Sequence, residues 1–492
     1  MATAEDVPIG TTDPIMNGQV TTCPEPNGQN PGDAATTTAP GLSAEEIALY
    51  DRQIRLWGAH AQERIRSANI LLVSLRALGT EIAKNLTLAG IRSLTIIDDE
   101  PVTEEDLGAQ YFVREEDVGK PVRLGSPLHS AIPMLTRCQR AEAAIPRIQE
   151  LNPRVDVRSG GSLANLIQMD QNFYAPFECV IACDHDFMTL STINTAARFA
   201  NRPFYAAGIH GFYGYIFADL VMHDFLVERE KSNVATAIAA ESLTRSVVGV
   251  TSKKDNNGKN IEVVKKREMY CPLILANSSP LTPDVLASRR KLKAVPALLP
   301  CIRALFEFQR STGHLPGHGA QDLTLFTTLA TTKLRELQLP AETLNSEFLR
   351  SFVQNIGAEI VPTAAFVGGR LSEDVINVLG MREQPIQNFA FFDGDALEGR
   401  IYSLYSPPPE LALAGQAMGM MDASAMQGFD ANGMNAINGL MGMGGNMSNN
   451  AIDMSTTNGL DVSMPAMGQV GSNQAIAPTS APTNGADVIN LD

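Results

Sequence analysis

Basic residues are missing from both ends of the chain. No Lys or Arg occurs before Arg52 or after Arg400, and the formal net charge at pH 7 is -16. A general nucleic-acid-binding protein would show a basic face, so this balance argues against a nucleic-acid partner. No apolar run reaches the ~20 residues of a membrane-spanning helix, so no membrane partner is expected either.

Cysteine is scarce, with six residues scattered along the chain. None of them forms a CxxC pair, so a four-thiolate zinc site is not expected. The N-terminus has neither the basic start nor the apolar core of a secretory signal. We therefore predict an intracellular protein with reduced thiols and without a metal centre.

Two tails lack the composition of a folded core. Residues 1–42 are rich in Thr, Pro, Gly and Asn, and residues 406–492 are rich in Met, Gly, Asn, Ala and Ser. Such segments bury little apolar surface, so both tails are predicted to be disordered. One folded domain is predicted at 43–405, interrupted by a charged stretch at 230–268 that we interpret as a mobile insertion.

Between the tails, short apolar runs alternate with helical patterns. Buried strands are predicted at Ile70–Val73, Leu94–Ile97 and Cys179–Cys183, with a helix over Thr80–Ala89. Alternation of this kind is typical of a mainly parallel sheet with helices on both faces. The sequence therefore predicts a Rossmann-like α/β fold. Further helices are predicted at Leu190–Ala200, Ala294–Arg310, Leu323–Leu337, Ser346–Ile356 and Ala364–Leu379, and further strands at Phe204–Gly208, Tyr213–Leu220, Asn388–Phe392 and Arg400–Leu404.

The loop after the first strand lacks the glycines of a phosphate-binding loop. Such loops use Gly to turn tightly and to bring backbone N–H groups close to phosphate. Here the loop contains Ser74, Leu75, Arg76 and Ala77, and only Gly79 remains of a GxGxxG-like pattern. The loop is therefore either a plain strand-to-helix turn or a residual anion site helped by Arg76. An NAD(P) dehydrogenase needs the intact pattern and is not expected.

Several separate blocks resemble a known family. LYDRQIRLWG at Leu49–Gly58 is similar to the N-terminal helix of the activating enzymes for ubiquitin-like modifiers. The segments Leu71–Val113, Ala206–Leu220 and Phe366–Leu404 resemble the smaller, Aos-type subunit of SUMO-activating enzymes. The resemblance covers roughly residues 43–404, is weak across 230–268 and excludes both tails.

This resemblance implies a MoeB/ThiF-like adenylation fold that works as one half of a pair. Such enzymes adenylate the C-terminal glycine of the modifier, release pyrophosphate, capture the modifier as a thioester and pass it to a conjugating enzyme. In the SUMO enzyme, the ATP site and the thioester cysteine belong to the larger subunit. The expected partners are therefore the larger catalytic subunit, SUMO and, indirectly, the SUMO-conjugating enzyme.

A second phosphate contact of the family is also missing. Active members carry a segment resembling N-x-N-R-Q after the second strand, whose Asn and Arg contact the nucleotide phosphates. In this chain Asp106 stands at the first Asn position and Ala109 at the Arg position. An acid repels a triphosphate, and alanine offers no contact. We expect no intact nucleotide site here, with ATP and Mg bound by the partner subunit; Asp98, Asp99 and Lys120 are interpreted as structural remnants.

Arg52 keeps a direct role according to the resemblance. It matches the arginine that reaches the partner's ATP phosphates in trans as an arginine finger, and Arg55, one turn away, is expected to assist. A planar guanidinium can bond two phosphate oxygens at once. The alternative is an ion pair between Arg52 and a carboxylate on the helix surface, such as Asp51 or Glu46.

Short motifs suggest further contacts. Val488, Ile489 and Leu491 are flanked by acids and resemble a SUMO-interacting motif that adds a strand to a sheet edge; the alternative is a plain chain end. Titration of SUMO with a tail peptide decides between them, because an unshifted sheet edge in the modifier's NMR spectrum rejects the motif. The basic clusters 265–267 and 289–293 are typical of nuclear import or of ordinary solvated surface. We expect a nuclear protein, with the cytoplasm as a second location.

Other functions stay open at this point. The chain could be the corresponding subunit for another ubiquitin-like modifier, a MoeB-like adenylyltransferase homodimer, or a scaffold that only stabilises a partner. The poor loop and Ala109 argue against the homodimer. Cys183, at the end of the third strand, is interpreted as a small buried side chain. The pair Gly368-Gly369 suits close packing, either in the core or at a subunit interface.

Overall fold

A computed structural model describes residues 41–119, 121–122, 136–232, 234–254 and 258–406. The predicted tails lie outside these residues, apart from their innermost positions, and so do Val488, Ile489, Leu491 and Lys120. From Ser43 on, the described residues belong to one unit. None of the described helices is both long and apolar enough to cross a membrane.

The helices and strands alternate along the chain, as the sequence pattern predicts. The α-helices are α1 (Ala44–Leu49), α2 (Asp51–Trp57), α3 (Ala59–Ser67), α4 (Ala77–Ala89), α5 (Arg140–Leu151), α6 (Leu163–Leu166), α7 (Gln171–Tyr174), α8 (Phe187–Phe199), α9 (Leu273–Ser278), α10 (Pro283–Leu286), α11 (Arg289–Lys293), α12 (Leu298–Thr312), α13 (Ala320–Glu336), α14 (Ser346–Asn355) and α15 (Val361–Gly380). The strands are β1 (Asn69–Val73), β2 (Ser93–Ile97), β3 (Pro121–Val122), β4 (Thr136–Arg137), β5 (Asp156–Ser159), β6 (Cys179–Cys183), β7 (Phe204–His210), β8 (Tyr213–Asp219), β9 (Met222–Glu230), β10 (Arg245–Lys254), β11 (Asn260–Met269), β12 (Phe389–Asp393) and β13 (Glu398–Tyr402).

Eight of these strands form the central sheet, in the order β13-β12-β8-β7-β6-β1-β2-β5. The five neighbouring strands β7, β6, β1, β2 and β5 run parallel to one another. Ile70 of β1 is aligned with Leu94 of β2. β8, β12 and β13 extend the sheet with antiparallel pairs. The predicted α/β fold with a mainly parallel sheet is therefore confirmed.

The central strands are buried on both faces. Along β1, Leu71 and Val73 enter a hydrophobic cluster together with side chains of α8, α12, α13 and α14. Ile70 and Leu72 point to the opposite face and pack with side chains of α3, α4, α5 and α15. A strand that is buried on both faces does not alternate apolar with polar residues. The continuous apolar run from Ile70 therefore predicts this strand from the sequence.

The segment 230–268, which we interpret from its sequence as a mobile insertion, contains regular structure over part of its length. It contains β10 and nearly all of β11, which form an antiparallel sheet with β9 in the order β10-β11-β9. Residues 234–244 lie outside these strands. Charged side chains hold this sheet together: Glu268 is buried and accepts hydrogen bonds from Thr244 Oγ1 at 2.6 Å and Arg245 Nε at 2.5 Å. Arg267 likewise pairs with Asp224 on the neighbouring strand.

Candidate functional site

A cleft of about 630 Å³ lies at the carboxyl ends of β1, β2 and β6. This edge is where open α/β sheets bind their ligands. Two arginines line the cleft, Arg76 and Arg140. Seven acidic residues also line it: Asp98, Asp99, Glu100, Glu105, Asp106, Asp184 and Glu359. The predominance of carboxyl groups is unfavourable for a triphosphate.

Two backbone donors of the loop between β1 and α4 are bonded to other parts of the chain. The N–H of Ser74 donates to the carbonyl oxygen of Ile97 at 2.8 Å, and the N–H of Leu75 donates to Oδ2 of Asp98 at 2.7 Å. Ser74 has a φ of 75°, a conformation that favours glycine. Gly79 has a packing role, because a Cβ at this position would lie 2.1 Å from the carbonyl oxygen of Ser74.

The start of α4 is occupied by a carboxylate of the chain itself. Glu359 accepts a hydrogen bond from the N–H of Ala77 at 3.0 Å through Oε2, and its Oε1 forms an ion pair with Arg76. The sequence left open whether this loop is a plain turn or an anion site helped by Arg76. In the structure the loop is a turn, and the anion next to Arg76 is the Glu359 carboxylate of the protein itself.

Asp106, which stands at the first Asn position of the family's second phosphate contact, belongs to an ion-pair network. Arg140 contacts Oδ2 of Asp98 through Nε at 3.1 Å and Oδ1 of Asp106 through Nη1 at 3.4 Å. Asp106 also accepts a hydrogen bond from the N–H of Thr103 at 2.8 Å. Ala109 lines the cleft without offering a polar side chain. Asp98 and Glu359 accept hydrogen bonds from the N–H groups of Leu75 and Ala77, and the remaining charges of the cleft are mainly negative.

Asp184 and His185 follow β6 and face the same cleft. Burial raises the pKa of Asp184 to about 7, and the Glu359 carboxylate adds to this shift, while its backbone hydrogen bond and Arg76 oppose it. Burial lowers the pKa of His185 below its usual value, against the opposing effect of Asp98. Both groups are therefore less charged near neutral pH than they would be in water.

Arg52, on α2, differs from the cleft arginines because its guanidinium has no acceptor among the described residues. It is exposed and forms no ion pair or side-chain hydrogen bond among the described residues. The carboxylates that could have held it are taken by other arginines: Asp51 contacts Arg55 Nη2 at 3.0 Å, and Glu46 contacts Arg66 Nη1 at 3.3 Å. The surface ion pair that the alternative predicts for Arg52 is not present among the described residues.

Exposed apolar side chains flank Arg52 in sequence, at the end of α1 and within α2. Leu49 is 57% exposed and Leu56 is 75% exposed. Leu56 and Trp57 also line a groove of about 520 Å³ between α2, α4 and α15, which includes Leu88. Apolar surface that is rimmed by polar groups marks protein–protein contact sites.

None of the five described cysteines lines the acidic cleft or the groove beside α2, and Cys138 is half-buried. Cys179, Cys183, Cys271 and Cys301 are all buried. Burial raises the pKa of each of these thiols above its usual range. The interpretation of Cys183 as a small buried side chain is confirmed. In the part of the chain that the structure describes, no group of His, Cys, Asp and Glu is arranged to hold a metal ion.

The profile of the ThiF family matches residues 50–409. The chain belongs to the ThiF family. The match spans the central sheet, the cleft and the helix that carries Arg52, so the resemblance seen in the separate sequence blocks is confirmed.

Three relatives of this ThiF-family chain illustrate the similarity. DNA damage tolerance protein RHC31 of Saccharomyces cerevisiae is 36% identical over 361 residues, covering 73% of this chain and 96% of the relative. SUMO-activating enzyme subunit 1 of Homo sapiens is 32% identical over 360 residues, covering 72% and 94%. DNA damage tolerance protein rad31 of Schizosaccharomyces pombe is 30% identical over 365 residues, covering 74% and 98%.

The predicted site residues fall into two groups in this ThiF-family structure. Ser74, Ala77, Gly79, Asp106 and Ala109 surround the acidic cleft or the start of α4. Arg52 and Arg55 lie on α2 and do not line the cleft. Sequence reasoning missed Glu359, which lies 282 residues from Ala77 along the chain and has no motif around it.

Proposed function

We propose that this chain is the regulatory subunit of a SUMO-activating enzyme. Relatives that carry the name SUMO-activating enzyme subunit 1 match it over almost their whole length. In this role it pairs with a larger catalytic subunit, which adenylates the C-terminus of SUMO with ATP and then holds SUMO as a thioester. The SUMO-conjugating enzyme receives SUMO from that complex and is an indirect partner.

ATP and Mg belong to the larger subunit in this proposal. The acidic cleft supports it, because Glu359 and Asp98 accept the hydrogen bonds of the loop that would otherwise face phosphate. Buried cysteine thiols support placing the thioester on the partner as well. A self-sufficient MoeB-like homodimer would need a cleft that accepts ATP, so ATP binding by the isolated chain would favour that alternative.

Arg52 is the residue that this chain contributes to the chemistry. A carboxylate that attacks the α-phosphorus builds negative charge on the departing pyrophosphate, and a guanidinium can bond two of its oxygens. The single observation that supports this role is an exposed arginine without an ion pair, next to carboxylates that are paired with other arginines. An unpaired side chain breaks no ion pair when it turns towards a partner's site.

Arg55 has a different position, because it is held by Asp51 through both carboxylate oxygens. We propose that it assists by neutralising Asp51, which keeps that carboxylate from pairing with Arg52. Replacing Arg55 by Ala is therefore expected to have a smaller effect than replacing Arg52.

The test is ATP–pyrophosphate exchange by the reconstituted heterodimer at saturating ATP. Arg52→Ala should leave the complex assembled and lower the exchange rate on the order of 10³-fold, the usual contribution of an arginine finger. Arg52→Lys should recover only part of the rate, since an ammonium lacks the planar fork. Arg289→Ala removes another exposed arginine, on α11, and should behave like the wild type.

An unchanged exchange rate for Arg52→Ala would leave the chain as a scaffold that only stabilises its partner. The identity of the modifier is tested in the same preparation, by comparing thioester formation with SUMO and with other ubiquitin-like modifiers. Formation of a thioester with a different modifier alone would assign the chain to that pathway.

A nuclear location is part of this proposal. Lys265 and Arg267 are paired with Asp224, so the cluster 265–267 is already engaged. In the cluster 289–293, Lys291 and Lys293 pair with Asp284 and Glu342, but Arg289 and Arg290 are exposed and form no ion pair among the described residues, so we take this cluster as the candidate import signal. Imaging a tagged chain with this cluster replaced by alanines would show whether nuclear accumulation depends on it.

A further inference from the structure

The short helix α2, which carries Arg52, is not held in place by burial of its own side chains. None of its seven residues is buried. An isolated helix of this length is unstable in water, so its position depends on contacts with the rest of the chain. These contacts therefore also fix the position from which the exposed Arg52 guanidinium starts.

The C-terminal end of α2 is held by Arg382. Nη1 of this arginine donates a hydrogen bond to the carbonyl oxygen of Trp57 at 2.6 Å. The last carbonyl groups of a helix have no intrahelical donor, and the helix dipole favours a cation next to them. Glu373 lines the same groove but pairs with Arg370, and Arg382 forms no ion pair among the described residues. Its charge is therefore directed at the end of α2.

Arg382 is itself fixed from two sides. It directly follows Met381, where α15 ends with a φ of 53°, and its N–H donates to the carbonyl oxygen of Asn377 at 3.0 Å. On the other side it forms a bridge with Leu226 of β9, whose N–H donates to the carbonyl oxygen of Met381 at 3.1 Å. The residue that caps α2 thus joins this helix to α15 and to the sheet of β9, β10 and β11.

Two neutral hydrogen bonds also hold α2. Gln53 donates to the carbonyl oxygen of Leu88 at 3.0 Å, and Nε1 of Trp57 donates to Oε1 of Gln62 at 2.8 Å. A hydrogen bond from a charged donor is roughly twice as strong as a neutral one. The contact of Arg382 is therefore the strongest of these three, and it acts at the end of the helix that the other two support only through side chains.

We propose that Arg382 is a positioning residue for Arg52, because by capping α2 it sets the direction from which the finger reaches the partner's nucleotide. The proposal rests on the finger role given to Arg52 above and names the residue that acts through it. It also gives the charged sheet a part in the reaction, since β9 holds the backbone of Arg382. The sequence carries no sign of this role, because Arg382 and Trp57 are 325 positions apart.

Hydrogen exchange in the isolated full-length chain tests whether Arg382 holds α2. Arg382→Met keeps an apolar stem but removes the charged donor, so it should speed exchange of the α2 amides about 10-fold. Arg382→Lys keeps a cationic donor and should recover part of the protection. Arg202→Met is the matched control, because Arg202 is a half-buried arginine that donates to the carbonyl oxygen of Ala175 and not to α2. Unchanged exchange of α2 in Arg382→Met overturns the proposal.

ATP–pyrophosphate exchange by the reconstituted heterodimer tests whether Arg382 acts through Arg52. At saturating ATP and saturating partner, Arg382→Met should lower the rate at least ~10-fold with little change in KM for ATP, because a misplaced finger weakens the transition state and not nucleotide binding. In the Arg52→Ala background the same substitution should change the rate by less than about 2-fold, since a positioning residue acts only through the residue it positions. Equal losses in both backgrounds overturn the proposal, and so does a wild-type rate for Arg382→Met.

Arg382→Gln replaces Arg382→Met in both experiments if the latter does not fold or does not assemble, and the same outcomes decide. Failure of the finger role is distinguishable from failure of this proposal. A wild-type rate for Arg52→Ala rejects the finger itself. A strong loss in Arg52→Ala without faster exchange of α2 in the Arg382 variant rejects only the positioning role.

Discussion

Asp184 is a carboxyl group whose proton affinity depends on the fold. It follows β6 with a φ of 55°, and its Oδ1 accepts a hydrogen bond from the N–H of Ile209 at 3.0 Å. Burial raises its pKa from 3.8 to about 7, with a further contribution from Glu359. The folded chain therefore keeps a proton on Asp184 over a pH range in which the unfolded chain has released it.

The free energy of unfolding should depend on pH through this group. Because the folded state binds more protons between the two pKa values, its stability falls as the pH rises through that range. The Asp184→Asn variant lacks this titrating group. Its free energy of unfolding in urea, compared with that of the wild type, should therefore increase by roughly 2 kcal/mol from about pH 5 to about pH 7. A stability difference that stays constant over this range would contradict the prediction. Asp156→Asn serves as control, since Asp156 is an exposed residue on β5.

The residues of the site differ in how far sequence predicts them. Arg52 was found because a string of neighbouring residues carries the family pattern, and the absence of glycines before Gly79 was equally local. Glu359 was not found, since its contact with Ala77 joins residues 282 positions apart. Asp184 was visible as the residue after a strand, but its raised pKa depends on burial and on Glu359, which only the fold brings together.

At the level of elements, α15 packs closely on α4, and the two adjacent glycines of α15 have different environments. A Cβ on Gly368 would lie 2.8 Å from Cβ of Glu81, whereas a Cβ on Gly369 would meet no atom within 4 Å. Gly369 instead lines the groove next to Leu56. Of the two settings that the sequence allowed for this pair, Gly368 is in the core and Gly369 is at the surface.

Alanine substitutions should separate these two glycines. Gly368→Ala should lower the free energy of unfolding by about 1–3 kcal/mol, because the added methyl group pushes α15 away from α4. Gly369→Ala should raise it by about 0.5–1 kcal/mol, since alanine restricts the unfolded chain at an open helical position. Chemical unfolding of the two single variants measures both effects. Equal destabilisation by both substitutions would show that the helix contact is not as described.

The elements that sequence predicted well are those with a simple hydrophobic period. β6 was predicted with its observed bounds, Cys179–Cys183, because a strand buried on both faces is a continuous apolar run. The sheet of β9, β10 and β11 was missed for the opposite reason. Its strands carry many Lys, Arg and Glu residues, and these stabilise the sheet by pairing across it, as Lys253 does with Glu228. Composition alone does not distinguish such cross-strand pairs from a solvated charged segment.

For the whole molecule, the surface around α2 is where the proposed heterodimer would form. Leu49 and Leu56 are exposed on either side of Arg52, and Leu56 continues into the groove with Leu88. Gln53 ties α2 to α4 through a hydrogen bond to the carbonyl oxygen of Leu88 at 3.0 Å. An arginine that acts in trans must lie at the subunit interface, so we expect the larger subunit to cover these leucines.

Leu56→Asp should therefore weaken the complex while leaving the chain folded. A carboxylate at a contact that becomes buried on assembly costs desolvation energy, and we expect at least ~10-fold weaker association with the larger subunit. Leu397→Asp is the matched control, because Leu397 is 84% exposed in the turn between β12 and β13, away from α2. Analytical ultracentrifugation of each mixture measures the association, and melting of the isolated chain checks its stability.

The two kinds of α2 variant should then fail in different ways. Leu56→Asp should lower ATP–pyrophosphate exchange only as far as it lowers the amount of complex, so a higher concentration of the partner should restore the rate. Arg52→Ala should lower the rate within a complete complex, where more partner brings no recovery. If Leu56→Asp associates normally, the leucines do not belong to the interface, and an arginine between them could not reach the partner's nucleotide.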